Sequence, residues 1–258
     1  AVYAAYSAHA VEAITLGEEH ADGVIRNTLV PYTFQTTSDG RTYGSIVEKY
    51  AAELVADYEG IDLNDGHDAW YNPELAKTFA ERAKEELGDS VSEWPIHIDV
   101  PVYAASENQK NMQLAMKKSV EDAIGDYAVI DLQFLEGNSS VYYSSFYNMP
   151  TGEENSIDLV FGAGWGPDYG DPLTYLHCFD IHDGDMLNYS GINIESQGQS
   201  DEQKAVLETL GLNEVQEIVD QATAATGDER IELFAKAEAM LLTNLSLIHI
   251  SEPTRQEA

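Results

Sequence analysis

An α/β fold, with a parallel or mixed sheet flanked by helices, is what this sequence predicts, and three stretches in its middle predict it. Ile96, Ile98, Val100 and Val102 alternate at the period of a strand. Met112, Ala115, Met116, Ser119 and Val120 then recur at helical spacing, and Ile130, Leu132 and Phe134 alternate again. Strand, helix and strand in that order make a β-α-β unit, whose crossover sets the two strands parallel. At 258 residues the chain is long enough to bury a substantial core or to form one large and one small domain.

The elements before this unit follow from caps and periodicity. Tyr3, Tyr6, Ala10, Ala13 and Ile14 share one helical face, with Gly17 placed to end it. Asn27 to Gly44 reads as loop, and Thr42 to Tyr58 as an alanine-rich helix. The acidic stretch after it contains Asp62 to Asp68, DLNDGHD. This resembles a calcium loop, but its glycine falls one place early and no glutamate closes it, so no calcium site is expected. Asn72-Pro73-Glu74 starts the next helix, with Asn72 as N-cap, Pro73 at the first helical position, and Leu75, Phe79 and Ala83 as its buried face before Gly88.

Beyond the β-α-β unit, Ser139 to Tyr147 reads as a helix. Its aromatics Tyr142, Tyr143, Phe146 and Tyr147 fall at core spacing rather than as a ligand groove. Ile157, Leu159, Val160 and Phe161 form an apolar run expected to be a strand buried on both faces, stopped by Gly162, Gly164 and Gly166. The loop that follows carries Trp165, Asp168, Tyr169 and Asp171, just past a strand's carboxyl end, where open α/β sheets place ligands. A carboxylate beside an indole suits a ligand with a cationic group and an apolar body. Asp171-Pro172 reads as a structural turn.

His177, Cys178, Asp180, His182, Asp183 and Asp185 crowd the next stretch. With no second cysteine or distant histidine pair to complete a four-ligand set, solvated acids around a half-buried Cys178 are expected rather than a metal site. Gly191 to Ser200 is a polar linker. Helices then run over Asp201 to Leu210, Asn213 to Thr226 and Asp228 to about Leu245, the last with Ile231, Phe234, Ala237, Leu241 and Leu245 as its buried stripe.

Composition narrows the function classes. Lys plus Arg number 13 against 46 Asp plus Glu, a formal charge of −33, so nucleic acid is excluded as a partner by repulsion from its phosphates. Apolar content of 43% with a mean hydropathy of −0.31 describes a water-soluble globular chain, and no apolar run reaches bilayer length. One cysteine allows no internal disulfide. No G-x-S-x-G, H-E-x-x-H or P-loop pattern occurs. An enzyme reading would rest on Asp168 and Asp171 as a carboxylate pair acting on a glycoside.

GWGPDYGDPLTYL is similar to the W-x-x-D-Y-x-D-P segment of the family 5 extracellular solute-binding proteins, the oligopeptide binders of ABC importers. VPYTFQTTSDGRTYG, LNDGHDAWYNPELAKTFAERAKEEL and WPIHIDVPV resemble, in order and spacing, the surface-lipoprotein branch of Gram-positive bacteria, so the resemblance extends from Ala1 to about Leu245. It implies a periplasmic-binding-protein-like lobe of class II, peptide-binder type, over residues 1–245, with Ala1 as a cut edge. Residues 246–258, SLIHISEPTRQEA, resemble adapter read-through and are expected to be non-native. The resemblance also implies no catalysis, no cofactor and no metal. Asp168 would pair with the α-amino group of an extracellular oligopeptide, Gly164 and Gly166 would let its backbone approach, and Trp165 and Tyr169 would pack on its first side chains. The implied partner is the membrane permease of an ABC importer, and the implied location the cell surface, through an N-terminal lipid anchor that this chain lacks. Nickel, a sugar or another cationic solute is the alternative ligand.

Overall fold

The computed structural model describes residues 1–2, 4–7, 28–63, 68–147, 149–155, 157–161 and 167–245, together with the backbone of 246–247. The expected helix over Ala10, Ala13 and Ile14, part of the calcium-like loop, Gly162 to Gly166 and the tail from 248 lie outside the described residues. In chain order the elements are α1 (Tyr43–Leu54), α2 (Pro73–Leu87), β1 (Ile96–Tyr103), α3 (Glu107–Ile124), β2 (Ala128–Leu135) and α4 (Ser139–Ser144). After them come the short helices α5 (Leu173–Leu176) and α6 (Asp185–Tyr189), then α7 (Asp201–Thr209), α8 (Leu212–Ala224) and α9 (Gly227–Leu247). They fall into two compact units, one of Ala1–Ile25, Gly60–Met149 and Ser156–Trp165, the other of Arg26–Glu59, Pro150–Asn155 and Gly166–Ala258.

The first unit is built on the predicted β-α-β. β1 and β2 pair in parallel with Ile98 opposite Ile130 and Val100 opposite Leu132. Ser106 caps α3, its side chain accepting from Gln109 N–H, and Met116, Val120 and Ile124 then bury one face of the helix. That face meets Val100, Ala128 and Ile130, with Ala76 and Ala80 of α2 and Ala4 and Ala5 completing the core. Asn72 caps α2 through Leu75 N–H and Pro73 opens it, as the sequence predicts. The buried face is Ala76, Phe79 and Ala80, turned from the expected one, so that alanines face the core where the helix approaches closely. Of the four aromatics after β2, Tyr142 and Phe146 are buried whereas Tyr143 and Tyr147 are exposed.

One expectation fails here. Ile157 to Phe161 forms neither a strand nor a doubly buried segment, since none of its residues is fully buried. It runs beside β1 with a single ladder-like bond, Leu159 N–H to Asp99 O at 3.2 Å. The Asp99 N–H, which a pairing strand's carbonyl would accept, instead goes to the Asp158 side chain at 2.9 Å. A carboxylate has taken the place of a backbone partner, and pairing stops there.

The second unit is helical. α9 packs on α1 and α8. Phe234, Ala237 and Leu241 of its predicted stripe are buried, Ile231 is half-buried and Leu245 exposed. Ala235, Glu238, Ala239 and Met240 are buried as well, so the middle of α9 is covered nearly all round. Thr42 caps α1 and the helix ends at Leu54, four residues short of the expected boundary. At Gly44 any side chain would meet the Tyr32 ring, 2.1 Å from an ideal Cβ, so this turn of α1 requires glycine. α7, α8 and α9 occupy the ranges that periodicity assigned to within a few residues.

Candidate functional site

The described part of the motif loop begins at Pro167 and is exposed through Gly170. Asp168 and Tyr169 therefore both reach solvent, while Gly164, Trp165 and Gly166 lie outside the described residues. The Asp168 N–H donates to Thr174 Oγ1 at 3.1 Å, and Thr174 is buried at the start of the α5 turn, so a rigid residue holds the backbone while the carboxylate stays outside. Tyr169 has its phenol pKa raised by desolvation, then by the charges of Asp171 and Asp168. Among the described residues no cation pairs with Asp168.

Asp171, three residues on, is differently placed. Its Oδ1 accepts Leu173 N–H at 3.0 Å, an aspartate turn that starts α5. Both carboxylate oxygens also accept from Arg230 Nη2, at 2.9 and 3.0 Å. Arg230 Nη1 donates to Ala222 O at 2.8 Å, satisfying a carbonyl at the end of α8, and its guanidinium lies 4.5 Å from the centre of the Phe234 ring. The foot of the loop is thus bolted to two helices. This removes Asp171 as a free member of a carboxylate pair and agrees with its structural reading. Both side chains are partly buried, at 23% and 28% exposure, so the bonds are charge-assisted and only partly screened. Replacing Arg230 with Ala is expected to cost about 1.5 to 3 kcal/mol of unfolding free energy. Lysine there would restore only part, because it lacks the planar fork. Urea melts of the three proteins check this, and equal midpoints would show the bolt to be idle.

Sequence reasoning missed Arg230 and Thr174. Nothing local marks an arginine 59 positions from its partner.

The histidine-rich stretch gathers less than its composition offers. His177, Asp180 and Asp183 bring ligand atoms within 4.8 Å of one another, largely at the surface, and Cys178 is not part of that group. His177 Nε2 lies 3.2 Å from Asp183 Oδ1, and Asp180 Oδ1 accepts His182 N–H at 2.8 Å. His182 Nδ1 meets Glu195 Oε2 at 2.7 Å, which raises the imidazole pKa. Burial, reinforced by Asp185 and Asp168, pushes the Cys178 thiol up to about 11, which keeps it protonated and a poor nucleophile near neutrality.

No family model matches the chain. Among curated proteins, the oligopeptide-binding protein SarA of Streptococcus gordonii is 31% identical over 242 residues, covering 92% of this chain and 35% of that protein. The oligopeptide-binding protein AliB of Streptococcus pneumoniae is 34% identical over 228 residues, covering 88% and 33%. The chain is a relative of the oligopeptide-binding proteins. It spans about a third of the length of these relatives. Solved structures agree in fold. The peptide-binding protein of a peptide ABC transporter aligns with a TM-score of 0.58 at 20% identity, covering 96% of this chain and 91% of that one. Listeria monocytogenes OppA bound to peptide aligns with a TM-score of 0.54 at 19% identity, covering 93% and 37%. The fold is therefore that of the peptide-binder type of solute-binding protein, as the motif resemblance implies.

Proposed function

We propose that residues 1–245 form a ligand-binding lobe of an extracellular protein that captures oligopeptides and delivers them to the permease of an ABC importer, without catalysis. The observation that carries this reading is the match to oligopeptide-binding proteins over about nine-tenths of the chain, which includes the motif holding Asp168. In this reading Asp168 receives the peptide's α-ammonium group. Its exposure, and the absence of a pairing cation among the described residues, leave that carboxylate ready for a ligand, whereas Asp171 is committed to Arg230. Gly164 and Gly166 let the peptide backbone approach, Trp165 and Tyr169 pack on its first side chains, and a lipid anchor elsewhere in the parent protein holds it at the cell surface. A second lobe closes over the ligand.

Calorimetric titration tests this at two levels. The intact parent protein should bind free-amino peptides and bind the same peptides far more weakly once N-acetylated. The 258-residue chain alone should bind them at least a hundredfold more weakly than the intact protein. A half-enclosed peptide keeps its far face hydrated, and each loss of about 1.4 kcal/mol is tenfold in affinity. Equal affinity of chain and parent would remove the second lobe from the mechanism, and no discrimination between free and acetylated peptides would remove the ammonium anchor.

A further inference from the structure

Gln113 interrupts the apolar stripe of α3. It stands in line with Met116, Val120 and Ile124 on the face turned to the core, and it is completely buried. Its amide has two polar atoms to satisfy. Nε2 donates to the Phe161 carbonyl at 2.5 Å, whereas among the described residues no donor meets Oε1. This bond fixes the orientation of the amide, since the flipped form would set oxygen against oxygen. An acceptor buried without a donor weakens a fold, and methionine, of nearly the same length, would fill the space without one. Core packing therefore does not account for the glutamine. The carbonyl that it holds does.

Phe161 lies where pairing with β1 has already stopped. Leu159 N–H still reaches Asp99 O, but the Asp158 carboxylate occupies the Asp99 N–H, and Phe161 itself is in no strand. Two side chains of the same unit hold it instead. Gln113 takes its carbonyl, and Tyr6 meets its ring edge-on, with 5.2 Å between ring centres and 67° between planes. In sequence the next residues are Gly162, Ala163, Gly164, Trp165 and Gly166, and Asp168 follows. Glycine constrains its own backbone least, so the course of a segment with three of them is set largely by its ends. Arg230 ties the far end at Asp171. Gln113 ties the near one at Phe161.

We propose that Gln113 is a positioning residue for peptide capture, which fixes the point where the chain enters the segment of Trp165 and Asp168. It touches no ligand and acts through the Phe161 carbonyl. The proposal rests on the reading of Asp168 as the ammonium anchor, because a displaced entry point disturbs above all where that carboxylate stands. A charge-assisted hydrogen bond is demanding in distance and direction, whereas apolar contacts along a peptide are not. The loss on removing Gln113 therefore falls on the peptide's ammonium group and not on the peptide as a whole.

The test is Gln113→Met, read in two ways. In urea melts of the 258-residue chain its midpoint should be unchanged or higher, because the bond lost and the unpaired acceptor removed offset each other. In the intact parent protein, calorimetry compares one short free-amino peptide with its N-acetylated form. Wild type should prefer the free amine. The variant should lose about tenfold of that preference, the worth of one hydrogen bond, while binding the acetylated form as wild type does. A variant that keeps the full preference overturns the proposal and leaves the ammonium anchor standing. A wild type without any preference overturns the anchor reading itself, and this proposal with it. A midpoint clearly lowered, a variant that does not fold, or equal weakening of both peptides would make Gln113 an ordinary part of the core, and each overturns the positioning role.

Discussion

Replacing Glu238 with Ala should lower the unfolding free energy of the chain by about 3 kcal/mol or more, among the largest single-site effects expected in it. Glu238 is completely buried in the middle of α9. Its Oε1 accepts Leu29 N–H at 2.6 Å and its Oε2 accepts Tyr43 OH at 2.8 Å, with Val30 N–H at 3.4 Å from both. Truncation leaves these donors buried without acceptors, at about 1 to 3 kcal/mol for each that water cannot reach. Gln at this position keeps the shape and one acceptor oxygen, and should cost much less. The carboxyl also makes stability depend on pH. Burial raises its pKa from 4.5 to about 7, against the opposing pull of Tyr43 and the Leu29 and Val30 N–H groups. A folded value above the unfolded one means that the folded state holds the proton more tightly. The stabilisation is therefore fully present below about pH 4.5 and lost as pH rises through about 7, roughly 3 kcal/mol in all. Denaturant titrations from about pH 5 to 8 on wild type and Glu238→Gln separate this from general charge repulsion, which both proteins share. Parallel stability curves would show that Glu238 does not titrate in that window.

Asp168→Asn in the intact parent protein should weaken free-amino peptides by about 2 to 5 kcal/mol, or roughly thirtyfold to several thousandfold. Asparagine preserves size and one acceptor oxygen, so the loss isolates the charge. Acetylated peptides present no ammonium group and should bind wild type and variant alike. Thermal stability should not change, because the Asp168 side chain is exposed and only its backbone N–H is used, by Thr174. Equal losses for both peptide classes would mean that Asp168 shapes the loop and does not anchor the amine.

Both of these effects turn on carboxylates, yet only one of them could be read in the sequence. Asp168 stands in a motif, and motifs are contiguous. Glu238 sits in AKAEAM, where an acid between small residues reads as a solvated helix face. Its burial follows only from α9 packing against α1 and α8, a consequence of tertiary structure that periodicity does not encode. The β-α-β unit was legible because strand and helix periods differ sharply, and α2 because an Asn-Pro start has one geometry. Ile157 to Phe161 misled because an apolar run reports burial but not where its hydrogen bonds go, and Asp158 diverts the one that mattered. Arg230 escaped because it fastens to a side chain that is adjacent only after folding.

In the proposed peptide-binding role, the fastening of Asp171 sets the entropic terms of ligand capture. With its carboxylate held by Arg230 and Leu173 N–H, the chain just after Asp168 is already ordered before any peptide arrives. A peptide that meets Asp168 then loses its own freedom but does not also have to freeze the loop's foot, and each flexible side chain left unfrozen on association spares about 0.5 to 1.5 kcal/mol. Loosening that foot should appear first as slower, less frequent productive encounters, and Arg230 variants should therefore lose association rate even where the folded contacts with a bound peptide are unchanged.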